Sequence, residues 1–363
     1  MKQKVITALC LLLFASAVCL ANSRPGRRVS FNQNWRFRLN DSQWRQLNLP
    51  HDWSIEGEFS EKHPAGTGGG ALPGGVGWYR KTFTVPTTSK GKLIFIEFDG
   101  VYRNSEVWIN GHYLGKRPYG YITFEYELTP HLYYGAKPNV IAVKVDNSQQ
   151  PNSRWYSGSG IYRNVWLTSL HPVHIAHWGT YVTTPEVSDQ SATVAIKTKV
   201  NNRSNNVAPV DLTTIIQHDD GRQVARLTEK SVGSEVSQTL KVPRPLLWSD
   251  ERPYVYKVVS ELTQGGKVVD RYETPFGIRT FRFDVEHGFF LNGKPLKIRG
   301  VCNHHDLGSL GAAVNTRALE RQLEILKAMG VNGLRTSHNP PAPELLDLTD
   351  KMGFIVMDEA FDV

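Results

Sequence analysis

From about Phe31 to Leu170 the chain alternates between short apolar runs and clusters of Gly, Pro and Asn. The spacing predicts strands over Trp78–Val85, Lys92–Phe98, Ser105–Ile109, Asn139–Val145 and Arg163–Thr168. Asn110-Gly111 separates two apolar runs, and both residues tolerate positive φ, so the pair predicts a tight hairpin. Many short strands with this punctuation predict a β-sandwich or jelly roll. A second β pattern runs from about His174 to Thr280, with strands over Thr193–Val200, Val210–Gln217, Ser237–Val242 and Tyr254–Leu262. Its size and strand spacing suit an immunoglobulin-like sandwich.

At about Phe281 the period changes. Asn292-Gly293 predicts another hairpin and Leu296–Cys302 a strand. Thr316 reads as the cap of an amphipathic helix with Leu319, Leu323, Leu326 and Met329 at helical spacing, ended by Gly330. Val331–Arg335 predicts a strand, Pro343–Met352 a second helix ended by Gly353, and Phe354–Met357 a third strand. Strands alternating with helices predict a βαβαβ unit with a parallel sheet.

Composition changes this picture at the N-terminus. Lys2 and Lys4 precede an apolar run from Val5 to Leu20, and Cys19-Leu20-Ala21 fits a small-x-small cleavage pattern. The segment reads as a secretory signal peptide with no stop-transfer pattern after it, so the protein is expected to be secreted or periplasmic, without a membrane span. Cleavage leaves Cys302 as the single cysteine, so no internal disulfide forms and stability rests on burial. The net charge of +8 comes from Lys and Arg scattered among Asp and Glu. It reads as solvated surface rather than the basic stripe of a nucleic-acid binder.

Candidate chemistry gathers at the ends of the three C-terminal strands. These are Asn303-His304-His305-Asp306, the stretch Arg335-Thr336-Ser337-His338-Asn339, and Asp358-Glu359. Active sites of (β/α) barrels sit at the C-terminal ends of the strands. His304 and His305 are adjacent in an extended segment and point to opposite faces, so they do not share a metal ion. Cys302 reads as a small buried hydrophobe within its strand rather than a nucleophile. The loop His63–Gly77 holds seven glycines but no phosphate-loop ending, and is read as flexible, over a cleft or simply at the surface. Asp146, Asn147, Arg154, Trp155 and Tyr156 precede a Ser-Gly-Ser-Gly turn; such a set suits sugar recognition or a sheet corner equally.

Several strings together resemble glycoside hydrolase family 2, β-galactosidase type. They are Pro50-His51-Asp52-Trp53, Gly77-Trp78-Tyr79-Arg80, Asp99–Gly115, Ser153–Val165, Arg299-Gly300-Val301 followed by His304, Arg335-Thr336-Ser337-His338, and Asp358-Glu359-Ala360. After the leader read at 1–21, the resemblance implies a multidomain β plus α/β chain: a jelly-roll sugar-binding domain at 22–172, an immunoglobulin-like β-sandwich at 173–280, and the first strands of a (β/α)8 TIM barrel at 281–363. It implies retaining, exo-acting hydrolysis of terminal β-linked sugars by an acid/base and a nucleophilic glutamate on later barrel strands. Neither glutamate stands before Val363, so this polypeptide alone is expected to be inactive. Asp146, Trp155, His304 and His338 are then substrate-binding, and Arg335, Asp358 and Glu359 supporting. No metal ligand is assigned. Magnesium-dependent members carry a Glu where Val363 stands here, which puts a magnesium requirement in doubt. The expected partner is a β-linked oligosaccharide or glycoside, and a homo-oligomeric full-length form is compatible with the family. β-Glucuronidase, β-mannosidase and a non-catalytic carbohydrate-binding protein are the rival readings; the βαβαβ unit argues against the last.

Overall fold

The computed structural model describes residues 27–204 and 208–361; the leader read at 1–21 and the magnesium-related position Val363 lie outside the described residues. The first unit is a jelly-roll sandwich. One sheet has six antiparallel strands in the order Arg45–Leu47, Trp35–Leu39, Gly75–Phe83, Asn139–Asn147, Ser105–Ile109 and His112–Arg117. The facing sheet has four: Arg28–Ser30, Val165–Leu170, Leu93–Phe98 and Phe124–Glu127. Inward positions alternate along each strand, and Phe37, Tyr79, Ile96, Phe98, Val107 and Val143 meet in the core. Asn110 and Gly111 take φ of 50° and 86°, as the hairpin between Ser105–Ile109 and His112–Arg117 requires.

The second unit packs a three-stranded sheet, Val173–Val187, Ser191–Asn202 and Glu235–Pro243, on a four-stranded one, Gln223–Glu229, Val210–Gln217, Tyr256–Gln264 and Lys267–Phe276. A short meander over Phe281–Asp284, Gly288–Leu291 and Lys294–Pro295 leads into a parallel sheet of Gly300–Asn303, Gly333–Thr336 and Ile355–Met357. Two helices, α1 (Thr316–Ala328) and α2 (Pro343–Met352), connect these strands. Among the described residues no helix is long and apolar enough to cross a membrane.

The structure corrects several expectations. Residues 296–299 are not strand. Their backbone is held instead by Asn332, whose side chain accepts from Arg299 N at 2.8 Å and donates to Lys297 O at 3.2 Å. Asn315, not Thr316, caps α1, its side chain accepting from Ala318 N at 3.0 Å. Met329 lies past the last turn of α1 and is 72% exposed, so it is not part of the apolar face. That face closes over Leu323, Leu334 and Phe354 with Val301, Leu345, Leu348 and Met352 around them. Cys302 is exposed, because strand alternation turns Val301 and Leu334 toward the helices and Cys302 and Arg335 to the opposite side.

Candidate active site at the barrel strand ends

Parallel register sets the site's floor. Cys302 pairs with Arg335 and Arg335 with Met357, so all three strands reach their C-terminal ends at about one level. There the chain delivers His304, His338 and Glu359 next to one another. The His304 and His338 rings stand 5.2 Å apart between centroids. Trp155, from the jelly roll, leans over both, 4.9 Å from His338 and 6.1 Å from His304. Its indole N–H donates to the Tyr121 hydroxyl at 3.2 Å, which fixes the ring. Arg335 Nε donates to Glu359. His338 Nδ1 lies 3.2 Å from Arg335 Nη2 and 3.2 Å from Glu359 Oε2, so it accepts from one or donates to the other according to its tautomer. Asp358 is held above the usual carboxylate range by burial, against a 3.4 Å hydrogen bond from Thr336.

A cavity of about 580 Å³ opens beside this cluster. Its lining includes Tyr102, Tyr119, Tyr121, Asn152, Trp155 and His338, together with Arg103 and Arg154. The structure thus brings Trp155, His304, His338, Arg335 and Glu359 together. It does not bring Asp146 into the cavity wall. Asp146 instead accepts from the Ser148 hydroxyl at 2.6 Å and lies 4.0 Å from Lys144. The glycine-rich loop does not line the cavity either: Gly68 lies beside the Arg154 backbone and Gly70 beside the Tyr156 ring. The tyrosines were missed because core and site aromatics look alike in sequence. In the folded chain Gly120 lets the backbone between Tyr119 and Tyr121 pass close to Tyr102, where a Cβ would stand 2.5 Å from the ring.

His305 points away from His304, into the junction between the jelly roll and the barrel strands. Its Nε2 lies 3.2 Å from Ser157 O, and Tyr121 and Tyr162 pack edge-on against its ring. Burial, with the Arg163 charge nearby, lowers its pKa to about 4. Two of the quoted strings prove to be anchors of the same junction. Asp52 is 2% exposed and accepts from Ser54 N, Ser159 N and, across the domains, Ala312 N at 2.9 Å, with the Tyr156 hydroxyl as a fourth donor. Arg163, 1% exposed, donates to Tyr121 O at 2.9 Å, Pro340 O at 2.7 Å and Pro341 O at 3.1 Å. These bonds set where Trp155 stands relative to His338.

Among the described residues one group has metal-ligand spacing: Glu97, Glu125 and His177, whose ligand atoms lie within 4.8 Å. It occupies another cleft, between the jelly roll and the immunoglobulin-like sandwich. Arg28 already supplies positive charge there, 2.7 Å from Glu97.

Three domain models agree with this architecture. The sugar-binding domain of glycosyl hydrolases family 2 matches residues 71–171, the family 2 domain residues 173–279, and the family 2 TIM barrel domain residues 284–363. The chain belongs to glycosyl hydrolases family 2. The β-galactosidase BoGH2A of Bacteroides ovatus is 57% identical over 355 residues, 93% of this chain and 42% of that protein. A putative β-glucuronidase of Formosa agariphila is 40% identical over 365 residues, 97% of this chain and 35% of that protein. The crystal structure of a glycosyl hydrolase family 2 member from Bacteroides cellulosilyticus superposes with a TM-score of 0.88 at 42% identity, covering 93% of this chain and 46% of that one. The chain spans about two fifths of the length of the curated relatives it matches.

Proposed function

We propose that these residues form the sugar-facing side of a retaining, exo-acting β-glycosidase with β-galactosidase specificity. The observation that carries this reading is Trp155 packed with His304 and His338, with Trp155 and His338 lining the cavity. An indole presents a flat apolar surface to the C–H face of a terminal sugar, and imidazole N–H and N atoms take its hydroxyls. Arg335 and Glu359 hold His338 in place, so its hydrogen bond costs little reorganisation when charge develops on the sugar. The acid/base and nucleophile of the family belong to later barrel strands, and a retaining pair stands about 5–5.5 Å apart. The likeness to a β-galactosidase supports galactose as the terminal sugar. A second reading, β-glucuronidase, is supported by Arg103 and Arg154 in the cavity lining, which suit a uronate carboxylate. The apolar run at Val5–Leu20 supports export of the enzyme.

The test is hydrolysis of nitrophenyl β-galactoside and nitrophenyl β-glucuronide by the full-length enzyme. The galactoside is expected to have the higher kcat/KM. His338→Ala and Trp155→Ala should each lower it by about tenfold or more, as loss of roughly 1–3 kcal/mol of transition-state binding requires. Preference for the glucuronide establishes the second reading. Unchanged kcat/KM in both variants overturns the placement of the site.

A further inference from the structure

The outer face of the six-stranded jelly-roll sheet is not used by the cavity. Register places two rows of side chains on it. One row runs Arg36, Arg80, Ala142, Trp108 and Tyr113; the next runs Arg38, Trp78, Lys144, Glu106 and Lys116. Trp78 stacks on Trp108 at 5.5 Å, and Trp108 meets Tyr113 at 5.4 Å, with Tyr113 54% exposed. Beside this strip, three guanidiniums surround Trp44: Arg80 at 5.0 Å, Arg38 at 5.2 Å and Arg36 at 6.0 Å from the ring centroid.

Charge on this face is mainly positive, with Asp146, two residues along the strand from Lys144, lying 4.0 Å from that ammonium. The single acid of the two rows, Glu106, is taken by Lys144 at 3.4 Å. Among the described residues, no ion pair joins Arg36, Arg38 or Arg80 to a carboxylate, and Arg38 Nε is buried without a hydrogen-bond partner. Scattered in sequence, these arginines read as solvated surface; sheet register gathers them into one patch. Guanidiniums fit carboxylate and sulfate with paired hydrogen bonds, and indoles stack on pyranose C–H faces. Adjacent strands lie about 4.8 Å apart, so the aromatic and basic positions run across the sheet as a band long enough for several sugar rings. A second copy of this face would bring like charge against like charge, which disfavours a symmetric dimer here.

We propose that this face is a second carbohydrate-binding surface, separate from the cavity, for an anionic polysaccharide. Its sugar rings lie on Trp78, Trp108 and Tyr113, and its carboxylate or sulfate groups meet the arginines around Trp44. The surface holds the enzyme on an acidic glycan while the cavity takes chain ends.

Affinity electrophoresis of the purified chain tests it, with polygalacturonate as the carboxylate probe, dextran sulfate as the sulfate probe, and neutral galactan and RNA as comparisons. Retardation by one or both anionic polysaccharides is expected, with the stronger one naming the anion. Trp44→Ala, Arg36→Ala and Trp108→Ala should each weaken it about tenfold, while Trp155→Ala leaves it unchanged. Circular dichroism checks that each variant is folded, and Arg36→Gln, an exposed change, repeats the test on a minimal substitution. Binding that Trp155→Ala abolishes would assign it to the cavity and overturn the proposal. So would no retardation by either anionic probe at low salt. Equal retardation by RNA, indifferent to Trp108→Ala, would show ion exchange alone and overturn it too.

Discussion

Where the jelly roll meets the barrel strands, its buried charges bond mostly to backbone atoms; where it meets the immunoglobulin-like sandwich, they bond largely to other charged side chains. Asp52 and Arg163 serve the first junction and reach Ala312 N, Pro340 O and Pro341 O. At the second, Arg27 lies 3.4 Å from Asp270 and donates to Ile175 O at 2.6 Å, and His177 lies 3.7 Å from Glu97, which Arg28 pairs from within the jelly roll at 2.7 Å. Backbone partners do not titrate, so at the first junction pH acts through the side chains packed beside them, such as His305. Side-chain clusters respond to protons, so the second arrangement holds two folded units together under conditions that pH can change. The first kind of junction is the one that positions Trp155 over the histidines.

The largest effect should come from Arg163→Ala. It removes the donor to four carbonyls, those of Asp99, Tyr121, Pro340 and Pro341, at a site that is 1% exposed. Leaving buried carbonyls unpaired costs about 1–3 kcal/mol each, so a loss of about 3 kcal/mol or more is expected. Limited proteolysis should then cut after about residue 280 while sparing the jelly roll. Lysine cannot rescue it, since one ammonium with three donors cannot reach the four carbonyls that the planar fork spans. Protease resistance equal to the wild type would remove Arg163 from the argument.

Asp52→Asn comes next. Oδ1 of Asp52 accepts from Ser54 N and Ser159 N, and Oδ2 accepts from Ala312 N and Tyr156. An amide must turn its NH2 toward one pair of donors, so about 1–3 kcal/mol is lost by chemical denaturation. If the first junction fixes the site, this variant also lowers kcat/KM of the full-length enzyme although Asp52 lies outside the cavity wall. A stability loss with unchanged kcat/KM would show that the junction holds the domains without setting the site.

The contrast between these junctions was only half legible in the sequence. Local features were: Asn110-Gly111 and Asn292-Gly293 each take two positive φ values, and α2 spans Pro343–Met352 up to Gly353 in the left-handed region. These depend on residues a few positions apart. The partners of Asp52 and Arg163 stand 260 and 177 positions away, and no local pattern names them. The strand-end residues His304, His338 and Glu359 could be read because parallel strands bring their ends together whatever the details. Tyr102 and Tyr121 could not, since they alternate like core residues. Nor could the arginines around Trp44, which become neighbours only through the pairing of Arg36 with Arg80.

pH should separate the junctions with opposite signs. His305 at the first has its pKa lowered from 6.5 to about 4, by burial and then by Arg163. The unfolded chain takes up a proton that the folded one refuses, so this contribution is present above 6.5 and is lost as pH falls toward 4. Glu97 at the second has its pKa raised from 4.5 to about 7, by burial, with Asp99 adding to it against the pull of Arg28. Its contribution is present below 4.5 and is lost as pH rises through 7. Thermal denaturation across pH 4 to 8 should therefore show the acid-side slope flattened in His305→Phe and the neutral-side slope flattened in Glu97→Gln. Identical slopes in wild type and both variants would show that neither group links its junction to pH.

The smallest effect should come from a residue that belongs to neither junction. Cys302 shares a strand with Val301, but the two point to opposite sides of the sheet. Val301 packs with Leu323, Leu334 and Phe354 under the helices. Cys302 is exposed, and its sulfur lies 3.7 Å from Arg335 Nη1. Replacing an exposed sulfur by oxygen removes little buried surface and keeps a hydrogen-bond acceptor for the guanidinium. Surface changes of this kind stay within about 0.5 kcal/mol. Cys302→Ser should thus be neutral in denaturant midpoint, whereas Leu334→Ala, at a site 3% exposed beneath the helices, should cost about 2–5 kcal/mol. A loss from Cys302→Ser approaching that of Leu334→Ala would mean that the face carrying Arg335 is packed in solution, and that Cys302 is after all the buried hydrophobe its strand position predicts.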